Sequence, residues 1–252
     1  MRQPLLVAVA QPLCLPYDVA ANAVAHAAAV RAAGARVVVF PELSLTGYEL
    51  DAPALTAGDP RLTPIVEACA EAGSVALVGA PVQGEQGEQG EQGEQGEQGE
   101  QGEAGRARIA MLAVDGTGAA VAYRKMWLGA AEAARFAPGG RPAVLDVDGW
   151  RLGLAICKDT GIPQHAADTA ALGIDAYLAG TVKSADEAAL QAERAGRVAT
   201  DHHVWVAVAS FAGSTGGGYD RAAGRSAIWS PDGVVVVQAG PEPGAVAQAT
   251  MT

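Results

Sequence analysis

Aromatic side chains make up only 5% of the 252 residues, and cysteine occurs three times. With so few rings, alanine, valine, leucine and glycine must fill the core, and the 50% hydrophobic content supplies them. Cys14, Cys69 and Cys157 are an odd set with no short metal-type spacing, which excludes a disulfide framework and a zinc site. No apolar run reaches the ~18 residues that span a bilayer. The opening Met1-Arg-Gln-Pro-Leu-Leu-Val-Ala-Val-Ala carries no cleavage-site pattern. No membrane association is expected, and a reducing cytoplasm is the expected compartment. No basic patch recurs along the chain, which argues against nucleic acid as a partner. Of the formal charge of −11, seven units come from glutamates between Glu85 and Glu103; the remaining −4 is an ordinary surface balance.

What is present is an alternation of strand and helix signals. Residues 5–10 predict a buried strand closed by Gln11-Pro12. The alanine-rich stretch 18–33 predicts a helix, with Asp18 as N-cap and Gly34 as stop. Residues 36–40 and 75–79 predict further strands around a helix at 62–72. Residues 84–103 repeat Gly-Glu-Gln, with nothing apolar to bury, so a disordered loop is expected there. Strands are predicted at 107–114 and 119–124, then at 143–147 and 151–156 about Asp148-Gly149. Helices are expected at 164–172 and 186–202, and strands at 176–179 and 204–209. The glycines of 213–218 predict a mobile loop. A last hairpin turns about Pro231-Asp232-Gly233, and 246–250 adds an edge strand. Helix-bearing β-α-β halves interrupted by hairpins predict one domain over 1–252, built as a four-layer α-β-β-α sandwich.

Three residues stand at predicted strand ends: Glu42, Lys125 and Cys157. Together they could perform amide chemistry. A carboxylate can take a thiol proton, and an ammonium can favour the thiolate and then an oxyanion. Taken singly, each has a plainer reading. Glu42 suits a solvated turn, Lys125 a surface position, and Cys157 a small buried hydrophobe.

Val39-Phe-Pro-Glu42-Leu-Ser-Leu-Thr-Gly47-Tyr48, Tyr123-Arg-Lys125-Met-Trp-Leu and Leu152-Gly-Leu-Ala-Ile-Cys157-Lys-Asp159 together resemble the three motif regions of the nitrilase, or carbon-nitrogen hydrolase, superfamily. They come in the family's order. Gly224-Arg-Ser226-Ala-Ile228-Trp-Ser-Pro231-Asp-Gly233 resembles its late hairpin. The resemblance implies the same α-β-β-α sandwich and a chemistry with no metal or other cofactor. It implies that Cys157 attacks an amide or nitrile carbon, that Glu42 is the general base, and that Lys125 and the Lys158 backbone N–H hold the oxyanion. A thioester on Cys157 would then be hydrolysed. Glu132 matches a second glutamate near the family's pocket, with a surface helix acid as its plainer reading. The implied partner is a small-molecule amide, with nitriles and N-carbamoyl compounds as alternatives.

The sequence also departs from the family. Lys158 adds a positive charge beside the nucleophile, where it would lower the thiol pKa, bind a substrate carboxylate, or face solvent. Ile162-Pro163-Gln164 replaces a more usual Phe-Pro-Glu. The short stretch after the last hairpin leaves the homodimer implied by the family less firmly indicated. Lys158, Lys183 and Arg135 hint at a small acidic or ω-amide substrate. Three competing readings remain. Cys157 could pair with His202 or His203 as in papain-like enzymes, residues 213–218 could hold a phosphate, or the fold could be a non-catalytic scaffold.

Overall fold

Alternation along β1 (Leu5–Gln11) sends Leu5, Val7 and Val9 to one face and Ala8 and Ala10 to the other, and both faces are buried. A strand covered on two sides belongs to a sheet sandwiched between layers. In this computed structural model the described residues are 2–84 and 105–252. The Gly-Glu-Gln repeat, read above as disordered, lies outside them from residue 85 onward. Helix α1 (Val19–Ala33) starts where Asp18 Oδ1 accepts from the Ala21 N–H at 3.0 Å. It stops where Gly34 turns left-handed at φ 55° and returns its N–H to Val30 O. Both signals were legible in the sequence.

The chain continues through β2 (Val37–Val39), α2 (Thr63–Ala72), β3 (Val75–Val82), β4 (Arg108–Asp115), β5 (Gly118–Arg124) and α3 (Ala130–Arg135). Then follow β6 (Val144–Val147), β7 (Trp150–Ile156), α4 (Pro163–Ala170), β8 (Ala176–Thr181), α5 (Ala188–His202) and β9 (Trp205–Ser210). The last strands are β10 (Ala212–Thr215), β11 (Tyr219–Ala223), β12 (Ala227–Trp229), β13 (Val235–Gln238) and β14 (Ala245–Met251). Among the described residues these form two 6-stranded sheets, ordered β14-β1-β2-β3-β4-β5 and β13-β12-β9-β8-β7-β6. Val7, Val39 and Leu77 of the first sheet meet Leu154, Leu178 and Ala207 of the second in a shared core. Helices α1 and α2 cover the outer face of the first sheet through Val30 and Ile65, against Val38 and Val78. Helices α4 and α5 cover the second through Ala166 and Val198, against Tyr177 and Val208. The order is α-β-β-α, as the sequence predicts.

Strand direction decides where the chemistry emerges. β1, β2 and β3 are parallel, β4 reverses, and β5 reverses again to run with β2. Glu42, beyond β2, and Lys125, just after β5, therefore leave the sheet at the same edge. β7, β8 and β9 are also parallel, and Cys157 follows directly on β7.

Two expectations need correction. Residues 213–218 are not a loop throughout. β10 and β11 pair as an antiparallel hairpin, Ala212 with Ala223 and Thr215 with Tyr219. Gly213, Gly217 and Gly218 take positive φ at its bulge and turn, so the glycines shape a hairpin instead of dissolving one. Residues 126–140, for which the sequence predicts no element, contain α3, a helix of only 6 residues.

Candidate active site

Glu42 leaves β2 through Phe40-Pro41, and this segment threads between the two sheets. A methyl added at Gly79 of β3 would lie 2.3 Å from Leu43 N and 2.4 Å from Pro41 O. One added at Gly180 of β8 would lie 2.6 Å from Phe40 O and 3.0 Å from Glu42 N. Two glycines, one per sheet, thus clear the space in which the Glu42 backbone runs. The turn beyond is tied from behind. Asn22 Nδ2 donates to Leu45 O at 3.0 Å, and His26 Nδ1 sits 2.6 Å from Asn22 O. A nitrogen facing a carbonyl must carry the proton, so His26 Nε2 accepts from Ser44 Oγ at 2.8 Å.

Lys125 is 1% exposed and lies between two buried carboxylates. Its Nζ is 2.6 Å from Glu42 Oε1 and 2.7 and 2.8 Å from Glu132 Oε1 and Oε2. Glu132 also accepts from Tyr48 Oη at 2.6 Å and from the Gly129 N–H at 2.6 Å. That last bond closes the first turn of α3. Burial alone would drive charges out of this cluster, but the one ammonium is shared by two carboxylates and offsets one of their two negative charges. Burial acts to lower the Lys125 pKa, yet the Glu42, Cys157 and Glu132 charges outweigh it and hold it above its ordinary value. Burial likewise acts to raise Glu132, but Lys125 and the hydrogen bonds bring it below the usual range. For Glu42, burial wins over Lys125, and its carboxyl is pushed up to about 7.

Cys157 follows β7 in a left-handed conformation, at φ 44°. Such a backbone is uncommon for a residue with a Cβ and marks a place where the surroundings over-determine the chain. The thiol is 7% exposed and donates to Val182 O at 3.3 Å. Burial first, and the Glu42 charge second, push its pKa up to about 12, while Lys125 and Lys183 pull the other way. The resting nucleophile is therefore a thiol beside a carboxylate. Interaction with that thiol favours the Glu42 anion, and Glu42 Oε2 is buried with no hydrogen-bond partner. An unpaired acceptor next to a proton it can take suits general-base chemistry.

Glu42, Lys125, Glu132 and Cys157 are thus drawn together from four segments of chain. Lys158 is not. Its side chain is exposed and its Nζ donates to Leu128 O at 2.6 Å, so it does not join the buried cluster. Arg135 is likewise tied away, to Leu50 O at 3.2 Å. Of the three cations read as substrate contacts, Lys183 is the one whose charge reaches Cys157. His202 ends α5 and His203 is its left-handed cap at φ 53°. Both precede β9, at the end of the parallel strands opposite Cys157, which removes the papain-like pairing. The hairpin at 212–223 opens no helix, which removes the phosphate loop. Tyr48 and Asp159 were missed. Tyr48 lies within the first motif and Asp159 within the third, but a residue that braces others leaves no local pattern of its own.

The carbon-nitrogen hydrolase family model matches residues 6–252. A hydrolase encoded in the pqqF 5' region of Pseudomonas protegens is 28% identical over 237 residues, covering 89% of this chain and 75% of that one. Among solved structures, the NitN amidase of Nesterenkonia sp. AN1 superposes with a TM-score of 0.80 at 24% identity, over 98% of this chain and 93% of its own. The same amidase with its cysteine replaced, in complex with butyramide, gives 0.79 at 22% identity, over 98% and 90%. These structures share the fold seen here. Because the family match runs over nearly the whole sequence, the chain belongs to the carbon-nitrogen hydrolase family.

Proposed function

We propose that this protein hydrolyses a non-peptide carbon-nitrogen bond of a small molecule, as an amidase, through a thioester on Cys157. The observation that carries the reading is the buried Lys125 ammonium held between Glu42 and Glu132, beside a thiol whose neighbouring carboxylate oxygen has no partner. Glu42 takes the thiol proton as Sγ bonds to the carbonyl carbon. A pre-formed thiolate is not needed, and a thiol held near 12 would not supply one at neutral pH. The positive charge of Lys125 opposes the charge building on the carbonyl oxygen. When the C–N bond breaks, Glu42 returns its proton to the departing nitrogen. It then takes a proton from water as that oxygen attacks the thioester. The carboxylic acid leaves and the thiol is restored. Glu132 does not move protons in this scheme; it anchors Lys125.

The test is ammonia release from a panel of aliphatic amides, ω-amides, N-carbamoyl compounds and nitriles. Butyramide enters the panel because the similar Nesterenkonia amidase is found in complex with it. Release by wild type that disappears in Cys157→Ala is the expected result. Release that persists in the variant would remove Cys157 as nucleophile, and the preferred compound class decides between amidase, N-carbamoyl hydrolase and nitrilase. A folded protein inert toward the panel and toward a thiol electrophile at Cys157 would mark a scaffold. The pH profile is a separate expectation. Glu42 must be ionised to act, so kcat/KM should fall about tenfold per pH unit below about 7, where its carboxyl takes up a proton. An acid limb that stays level down to pH 5 would argue against Glu42 as the base.

A further inference from the structure

The Asp159 carboxylate is fully buried and accepts three hydrogen bonds from two different parts of the chain. Oδ1 accepts from the Trp127 N–H at 2.9 Å. Oδ2 accepts from the Ile156 N–H at 3.0 Å and from Tyr123 Oη at 2.8 Å. Tyr123 and Trp127 each stand two residues from Lys125, one on either side. Ile156 immediately precedes Cys157. One carboxylate therefore holds the segment carrying the ammonium and the segment carrying the thiol, although these belong to different sheets.

Behind Asp159 runs a directed chain of hydrogen bonds. Tyr123 Oη lies 2.9 Å from His165 Nε2, and His165 Nδ1 lies 2.8 Å from Tyr177 Oη. Tyr123 spends its proton on Asp159, so it can only accept from His165. His165 Nε2 then carries the ring proton, and Nδ1 accepts from Tyr177. Every polar atom in the chain is used, and all four side chains are buried, so the arrangement has one orientation.

Resting on the function proposed above, we propose that Asp159 is a positioning residue. It sets the separation of Lys125 and Cys157 across the sheet-sheet junction, and Tyr123, His165 and Tyr177 hold it in register. It touches no substrate. Loosening it should lower the rate of chemistry and leave substrate binding unchanged.

The variants are Asp159→Asn and Tyr123→Phe. Asparagine presents an N–H₂ where at least one of the three donors now finds an oxygen, whereas phenylalanine removes one of the three hydrogen bonds to Asp159, together with the one Tyr123 accepts from His165, and keeps the ring. Two rates are read on protein shown to be folded by circular dichroism. One is kcat and KM for whichever amide of the panel wild type hydrolyses. The other is alkylation of Cys157 by iodoacetamide, followed at that residue by mass spectrometry. We expect Asp159→Asn to lose about 10²-fold in kcat, the scale of a 1 Å misplacement, with KM within about twofold and alkylation slowed in parallel. Tyr123→Phe should lose about fivefold to tenfold, and it serves as the test should Asp159→Asn fail to fold. A purely structural role would lower thermal stability while folded molecules kept wild-type kcat and alkylation rates, and that outcome overturns the proposal. If wild type hydrolyses nothing in the panel, the amidase reading fails by itself. The alkylation rates still decide on Asp159: slowed supports its positioning role, unchanged ends it.

Discussion

A Lys125→Met variant is expected to lose about 3–5 kcal/mol of stability together with its activity, because it strands two buried carboxylates. Glu42 and Glu132 are within hydrogen-bond distance of the same Nζ and have no other cation within reach of a hydrogen bond among the described residues. The loss should depend on pH, and the direction follows from linkage. Without the ammonium, both carboxyls are buried next to each other. Their folded pKa values then rise above the ~4.3 of an unfolded glutamate. A group whose folded pKa is raised contributes stability below the unfolded value and withdraws it as pH climbs through the folded one. The deficit should therefore be smallest near pH 4 and largest above neutrality. Urea midpoints at pH 5 and pH 8 measure it. Adding Glu132→Gln to Lys125→Met should recover part of the alkaline loss. Equal deficits at both pH values would mean that the methionine fails by shape alone.

The second large effect is expected at the glycines that flank the Glu42 segment. Gly79→Ala would bring a methyl to within 2.3–2.8 Å of three backbone atoms of residues 41–43, and Gly180→Ala to within 2.6–3.1 Å of residues 40–42. Backbone cannot swing aside as a long side chain can. Overpacking of this kind costs about 1–3 kcal/mol, and Gly79→Ala should fall at the upper end. The larger consequence is catalytic. The strip that must yield is the one that carries the base. A displacement of about 1 Å there should cost about 100-fold in kcat, more than the loss of stability would suggest. Kinetics on the folded variant, with thermal unfolding beside it, provide the check. A Gly79→Ala protein with wild-type kcat would show that the Glu42 carboxylate is positioned by something other than this passage.

Much of this was legible in the residues, for identifiable reasons. Asp18 and Gly34 bracket α1 because a cap and a left-handed stop are local chemistry. The valines of β2 and the alternation of β1 announce buried strands in the same way. The hairpin of β10 and β11 was hidden because β10 is built from alanine, glycine, serine and threonine and β11 carries Asp220 and Arg221 between one tyrosine and two alanines, so neither strand shows an apolar pattern until it packs. Gly217, for example, closes against Tyr48. Helix α3 escaped because six residues carry no repeating apolar face; the Glu132 side chain, held by Lys125 and Tyr48, fixes its first turn. The raised Cys157 pKa was not legible in the sequence for a related reason. A neighbouring lysine in sequence suggests a lowered value, but burial and the Glu42 charge, both products of tertiary structure, outweigh every cation near it. Asp159 was quoted within a motif and given no role, since its partners at 123 and 127 lie in and just after β5, a strand of the other sheet.

Strand β14 pairs with β1 along its whole length, Leu5 against Met251 through Gln11 against Ala245. The sheet that supplies Glu42 and Lys125 is therefore closed by residues translated after the sheet that supplies Cys157. The two β-α-β halves look in sequence like a tandem pair, but they are interleaved, and neither can be cut away intact. During synthesis, the thiol strand and the carboxylate strand both exist before the sheet that aligns them is finished. The reactive constellation is thus a late property of the polypeptide. It arises with tertiary closure, and until β14 is made the sheet that carries Glu42 and Lys125 has β1 as an unpaired edge.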